Sequence, residues 1–123
     1  MLQTVRLLML FEAMTFVTAA LVHSGKFVGG YQHYEARIAE TVIAVVLLLG
    51  LLFSWLRPDW ARLAAVGAQG AALFGTLVGI VTIIVGVGPR TVPDVIYHIA
   101  ILIVLVFGLA LALRMSGLGE TDA

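Results

Sequence analysis

"LAAVGAQGAALFGTLVGIVTIIVGVG", residues 63–88, contains no charged side chain, and Gln69 is its one strongly polar residue. A helix crosses roughly 30 Å of hydrocarbon with about 20 mostly apolar residues. The quoted stretch exceeds that length and lies within a span predicted at about 60–87. Three more segments meet the same criterion, at about 4–23, 34–56 and 93–114, and the last holds an unbroken apolar run from Ile99 to Leu113.

Composition agrees with the spans. Of 123 residues, 62% are hydrophobic and 11% charged, with a mean hydropathy of +1.12. Soluble domains run at about 45–50% apolar and about 25% charged. A chain this short has too much surface per volume to hide that apolar excess from water. The expected fold is therefore all-α: a polytopic membrane protein whose residues 1–123 form a single four-transmembrane-helix bundle with short loops. Punctuation marks the breaks. "SGKFVGG" (24–30) is a glycine-rich loop, "RPDW" (57–60) a tight turn, and "GVGPRTVPD" (86–94) a glycine–proline break. Asp59 is placed to cap the third helix, and Thr91 with Asp94 three residues on reads as a capping box opening the fourth. Glu12 within the first apolar run and a poor cleavage site before His23 favour a retained helix over a signal peptide. With an N-terminus on the cytoplasmic side, Arg6, Arg57, Arg62 and Arg114 fall there, against Lys26, Arg37 and Arg90 opposite. The positive-inside rule then predicts both termini cytoplasmic.

The third span is lined with small residues, and Gly75 and Gly79 form a GxxxG that admits a second backbone closely. Its expected use is packing inside the bundle, with a homodimer seam as the alternative.

Each helix carries a strongly polar residue in its span: Glu12, Glu40, Gln69 and His98. Such groups are costly in hydrocarbon unless paired or wetted, so they are expected to face the bundle interior. A rise of about 1.5 Å per residue sorts them by depth. Glu12 and Gln69 fall about 15 Å from one membrane face, and Glu40 and His98 roughly 6–9 Å inside it. Alternating helix directions bring His23, His33, Arg37, Arg90, Asp94, Tyr97 and His98 to that same face. The reading is a sparse deep site, Glu12 with Gln69, below a crowded outer site in which Glu40 pairs with His98 and the two arginines attract anions.

Three classes of function use such an arrangement. The first is binding or proton- or ion-coupled transport of a small solute, with Glu12 holding either a proton or a cation. In helix number, length and a lone Glu midway along the first helix, the chain resembles the small multidrug resistance transporters, which implies proton coupling at Glu12; their later-helix motifs are not found here. Length and helix count are also similar to DoxX-like membrane proteins. The second class is a haem- or metal-binding redox or anchor subunit of a larger membrane complex. Haem would be ligated axially by His98 with His33 or His23, or a divalent metal held by His33, Glu40 and His98. The third is an outer-leaflet lipid-binding protein or enzyme using His33, Asp94 and His98 as acid–base groups and Arg37 and Arg90 for an anionic headgroup. No serine elbow, nucleophilic cysteine or phosphate loop is present, which leans the reading away from an enzyme. Zero net charge without a basic run gives nucleic acid no electrostatic handle. The absence of cysteine removes disulfide and thiolate chemistry.

Overall fold

The structure, a computed structural model, describes residues 1–116. It comprises α1 (Leu2–His23), α2 (Tyr34–Leu56), a single 3₁₀ turn (Pro58–Trp60), α3 (Ala61–Val85) and α4 (Val92–Arg114). All four α-helices are long and apolar enough to cross a membrane, and together they form a four-helix bundle.

Local chemistry sets the helix ends. His33 opens α2, its Nδ1 accepting the Ala36 N–H at 3.2 Å. The His33 N–H donates to the His23 carbonyl at 3.1 Å, closing the glycine-rich loop. The third helix stops two residues short of the sequence expectation, because Gly86 enters the left-handed region at φ +91°. There the N–H groups of Gly86 and Val87 return to the Thr82 carbonyl at 3.1 and 3.0 Å, a glycine-terminated helix end. Asp59 does not cap α3. It lies within the 3₁₀ turn, and the first turn of α3 has no side-chain cap. The capping box of α4 is formed by Thr91 and Asp94 as the sequence suggests.

Consecutive helices pack side by side, α1 against α2 most extensively; α1 meets α4 more loosely and α3 least. Contacts at the helix ends establish the alternating directions. Arg6, near the start of α1, donates to Ser54 Oγ at the end of α2 at 3.1 Å. Arg62, at the start of α3, donates to the Leu113 carbonyl at the end of α4 at 3.1 Å.

The inward stripe of α1 runs through Val5, Met9, Ala13, Phe16 and Ala20, spaced three and four apart as one helix face requires. Glu12 and His23 are buried with it. Leu47, Ala72 and Leu105 bring α2, α3 and α4 to the same core. The outer surface is apolar instead, with Leu7, Phe11, Phe74, Ile103 and Phe107 all more than half exposed. Hydrocarbon outside and polar groups inside is the arrangement that lipid imposes.

Small residues let the helices approach. A Cβ at Gly50 of α2 would lie 2.4 Å from Ala68 Cβ and 3.2 Å from the Ala64 carbonyl oxygen on α3. The GxxxG pair acts within the chain: a Cβ at Gly75 would meet Ile43 Cδ1 at 2.9 Å, and one at Gly79 would meet His98 Nε2 at 3.3 Å. We expect Gly50→Ala to destabilise the bundle by about 1–3 kcal/mol through overpacking. The exchanged variant Gly50→Ala/Ala68→Gly should recover most of that loss. Unfolding midpoints in mixed detergent micelles measure both, and a Gly50→Ala midpoint equal to wild type would refute the close crossing.

Candidate functional site

His23 closes α1 and is 4% exposed. Both its ring nitrogens face carboxyl groups: Nδ1 lies 2.7 Å from Glu40 Oε2 on α2, and Nε2 lies 2.9 Å from Asp94 Oδ1 on α4. Two hydrogen bonds flanking one ring require two protons, whereas a neutral imidazole carries one N–H. The cluster therefore holds one proton more than a neutral imidazole supplies. Asp94 is already served by other donors, since its Oδ2 accepts both the hydroxyl and the N–H of Thr91. Three donors in total satisfy Asp94 as a carboxylate, which leaves the additional proton to the His23–Glu40 hydrogen bond. Glu40 Oε1 is buried with no hydrogen-bond partner among the described residues.

The outer pairing thus departs from the sequence reading. Glu40 meets His23 and not His98, whose Nδ1–H donates to the Asp94 carbonyl one turn earlier at 2.7 Å. His33 is consumed structurally: its Nε2–H donates to the Val87 carbonyl at 3.1 Å while Nδ1 serves the α2 cap. Arg37 lies over the Tyr34 ring, 5.0 Å from its centroid. Arg90 donates to the Ile83 and Ile84 carbonyls at 2.9 and 3.0 Å, closing the C-terminal end of α3. Neither arginine lines a cleft beside the His23 cluster, so the anion-attracting role expected of them has no geometry behind it.

These contacts bear on the ligating roles as well. Axial haem ligation by two histidines needs two free ring nitrogens on facing helices. The hydrogen bonds above occupy both nitrogens of His23 and of His33, leaving His98 Nε2. The trio His33, Glu40 and His98 fits a metal poorly for the same reason. No group of three or more His, Asp or Glu among the described residues is arranged to hold a metal ion.

The deep pair forms as the helical rise predicts. Gln69 Nε2 on α3 lies 3.1 Å from Glu12 Oε1 and 3.0 Å from Oε2, with both residues 0% exposed. Gly108 of α4 makes room for them, since a Cβ there would lie 2.3 Å from Gln69 Nε2 and 2.6 Å from Glu12 Oε1. Three helices thus converge on one hydrogen-bonded pair, which borders neither cleft described next.

Two clefts flank the His23 cluster. The first, about 560 Å³, lies between α1 and α4. Phe11, Met14, Ala19 and Val22 form its apolar walls, with His23, Asp94, Tyr31 and Tyr97 at its polar end. The Tyr97 hydroxyl is buried without a hydrogen-bond partner among the described residues. The second, about 370 Å³, lies between α2 and α3 and is bordered by Glu40, His33 and His98. Its floor includes Phe16, whose ring meets Tyr97 edge-on at 6.1 Å.

Two features escaped the sequence reading. Arg6, taken only as a topogenic charge, is 7% exposed; it also donates to the Ser54 carbonyl and stacks over Trp55 at 4.0 Å. An arginine inside the first apolar run was its signal, but Ser54 is distant in sequence and carries no periodic mark. Gly108 reads as one small residue among many until its neighbours are known.

No family model, characterised protein or solved structure matches this chain. For the deep pair, Gln69→Leu strands Glu12 without its donor and should cost about 1 kcal/mol, the scale of interhelical hydrogen bonds in membranes. Glu12→Leu/Gln69→Leu should cost less than the sum of the two single changes. A strictly additive cycle in the same micellar unfolding assay would show that the two side chains do not interact.

Proposed function

We propose that this protein binds a small amphipathic solute from the membrane in the α1–α4 cleft and exchanges a proton with it through the His23 cluster. One observation carries the reading: a buried histidine hydrogen-bonded to two carboxyl groups forms the polar end of an apolar cleft of about 560 Å³, within the size range of small-molecule sites. Phe11 and Met14, at 56% and 51% exposure, form an outer lip through which a solute enters sideways from the hydrocarbon. The apolar part of the solute lies along α1, and its hydrogen-bonding head meets the Tyr97 hydroxyl and His23. Proton movement between solute and cluster passes through His23, because its two nitrogens are the only link between Asp94 and Glu40 in the hydrogen-bond network of the described residues. Coupled transport follows if the loaded head reaches both sides. Glu12 takes no part in this reading; with Gln69 it fastens the core.

Occupancy is tested by photolabelling proteoliposomes with a diazirine-bearing ten-carbon alcohol and mapping the modified peptides. Labelling should concentrate on the α1 segment around Met14–Val22 and on Tyr97, and Ala19→Trp should reduce it at least tenfold. Uniform labelling of all outward helix faces would overturn the site. For the proton, vesicles loaded with a pH indicator are challenged with a panel of weak acids and weak bases. Solute-driven acidification or alkalinisation should be lost in His23→Gln and kept in Glu12→Gln; the opposite pattern returns the coupling role to Glu12.

We also propose that both termini are cytoplasmic, on the count of four basic residues against three. The chain lacks cysteine, so single cysteines placed at Lys26 and Asp59 report sidedness directly. An impermeant maleimide applied to whole cells should label the first and spare the second, and the reverse pattern would invert the topology.

A further inference from the structure

The α2–α3 cleft differs from the first in what its walls offer a ligand. Every polar hydrogen on the side chains along it is already committed. The His33 Nε2–H goes to the Val87 carbonyl, and the hydroxyls of Thr76 and Thr82 donate back to the Ala72 and Gly79 carbonyls at 2.8 and 2.7 Å. The N–H groups of Val87 and Gly88 turn to the Thr82 carbonyl at 3.0 and 2.9 Å, and Pro89 has none. Acceptors remain. Glu40, 5% exposed, has its Oε1 unpartnered among the described residues. His98 donates through Nδ1, which leaves the lone pair of Nε2 beside Gly79. Glu35 adds a second carboxylate at the rim, and no lysine or arginine borders the cleft.

A cavity of acceptors and carboxylates selects a ligand that donates hydrogen bonds and carries positive charge. The remaining walls, among them Ala39, Ile43, Val78 and the Phe16 ring, are apolar. A hard metal ion would want six or more oxygens, which these walls do not supply. An alkyl chain fits them, and an aromatic floor attracts a cation. We propose that this second cleft binds a small organic cation bearing N–H groups, an alkylammonium or alkylguanidinium, with Glu40 Oε1 and His98 Nε2 as its acceptors.

Glu40 joins this site to the additional proton, because its other oxygen faces His23 Nδ1. The titratable and charged groups around Glu40 are His23 on α1, Asp94 beyond it, His98 and Tyr97 on α4, and His33, Glu35 and Arg37 at the start of α2; the part of α3 that lines this wall carries no titratable or charged group. A cation at Oε1 repels the additional proton electrostatically. Binding therefore releases a proton from the His23–Glu40 pair. This coupling rests on the additional proton argued above, whereas the cation site itself does not require the α1–α4 cleft.

Calorimetric titration of butylammonium into the full chain, in nanodiscs of zwitterionic lipid, tests the site. Wild type should bind butylammonium at least tenfold more tightly than tetramethylammonium, which has the charge but no N–H. Glu40→Gln and His98→Phe should each weaken butylammonium at least tenfold, while Ala19→Trp, which fills only the α1–α4 cleft, leaves it unchanged. Thermal melts of each variant identify any that fail to fold, and His98→Phe keeps the test open should Glu40→Gln be such a case. Repeating the titration in buffers of different ionisation enthalpy reads the proton released. Equal affinity for the two cations, or wild-type binding in folded Glu40→Gln or His98→Phe, overturns the site. Binding without proton release overturns the coupling alone.

Discussion

The constraint on which this structure depends is that a polar side chain within a helix surrounded by hydrocarbon must find its partner on another helix. Water cannot supply one at that depth, so an unpaired group costs far more than it does on a soluble surface. Hydrophobic burial contributes little to holding such helices together, because acyl chains are as apolar as leucine. Specificity then falls to close packing of small residues and to a few interhelical hydrogen bonds. This chain uses both. Gly50 against Ala68 sets how near α2 comes to α3. The Glu12–Gln69 pair and the His23 cluster fix the inward faces of all four helices.

Those two polar layers differ in access, and geometry separates them. Glu12 and Gln69 are 0% exposed and closed over by Gly108. A group sealed in that way can set register but meets no solute. The His23 cluster has the opposite character. It is buried, yet both of its flanks border open volume. Burial strengthens the interaction of its charges and hydrogen bonds, and the clefts give those charges something to act on.

What was legible in the sequence follows from which quantities a helix fixes. Hydropathy and length placed the four spans, because the cost of crossing lipid depends on little else. Rise per residue gives depth, which matches Glu12 with Gln69 across two helices. Depth alone does not give azimuth, however. Glu40 and His98 share a level, yet the rotation of α4 turns Asp94, one turn earlier, toward His23 and directs His98 at Gly79. The capping box could be read because it is local, with Thr91 and Asp94 three residues apart. Arg6 with Ser54 could not, since 48 residues separate them. The surroundings of Arg37 and Arg90 are not legible in the sequence for a related reason. A basic residue near a helix end has carbonyls and aromatic rings nearby: two carbonyls take Arg90, and Arg37 lies over the Tyr34 ring.

The two clefts are also joined by one hydrogen-bonded cluster. His23 and Asp94 face one, Glu40 faces the other, and the same pair of short hydrogen bonds connects them. A proton held by His23 leaves Glu40 more negative and its cleft more attractive to the cation proposed above. A proton moved toward Glu40 does the reverse. For any two ligands whose binding shifts that proton, linkage makes the effect reciprocal, each changing the other's affinity by the same factor. Neither backbone motion nor a gate is needed for that coupling, because it lies in the position of one proton along an arrangement of three side chains.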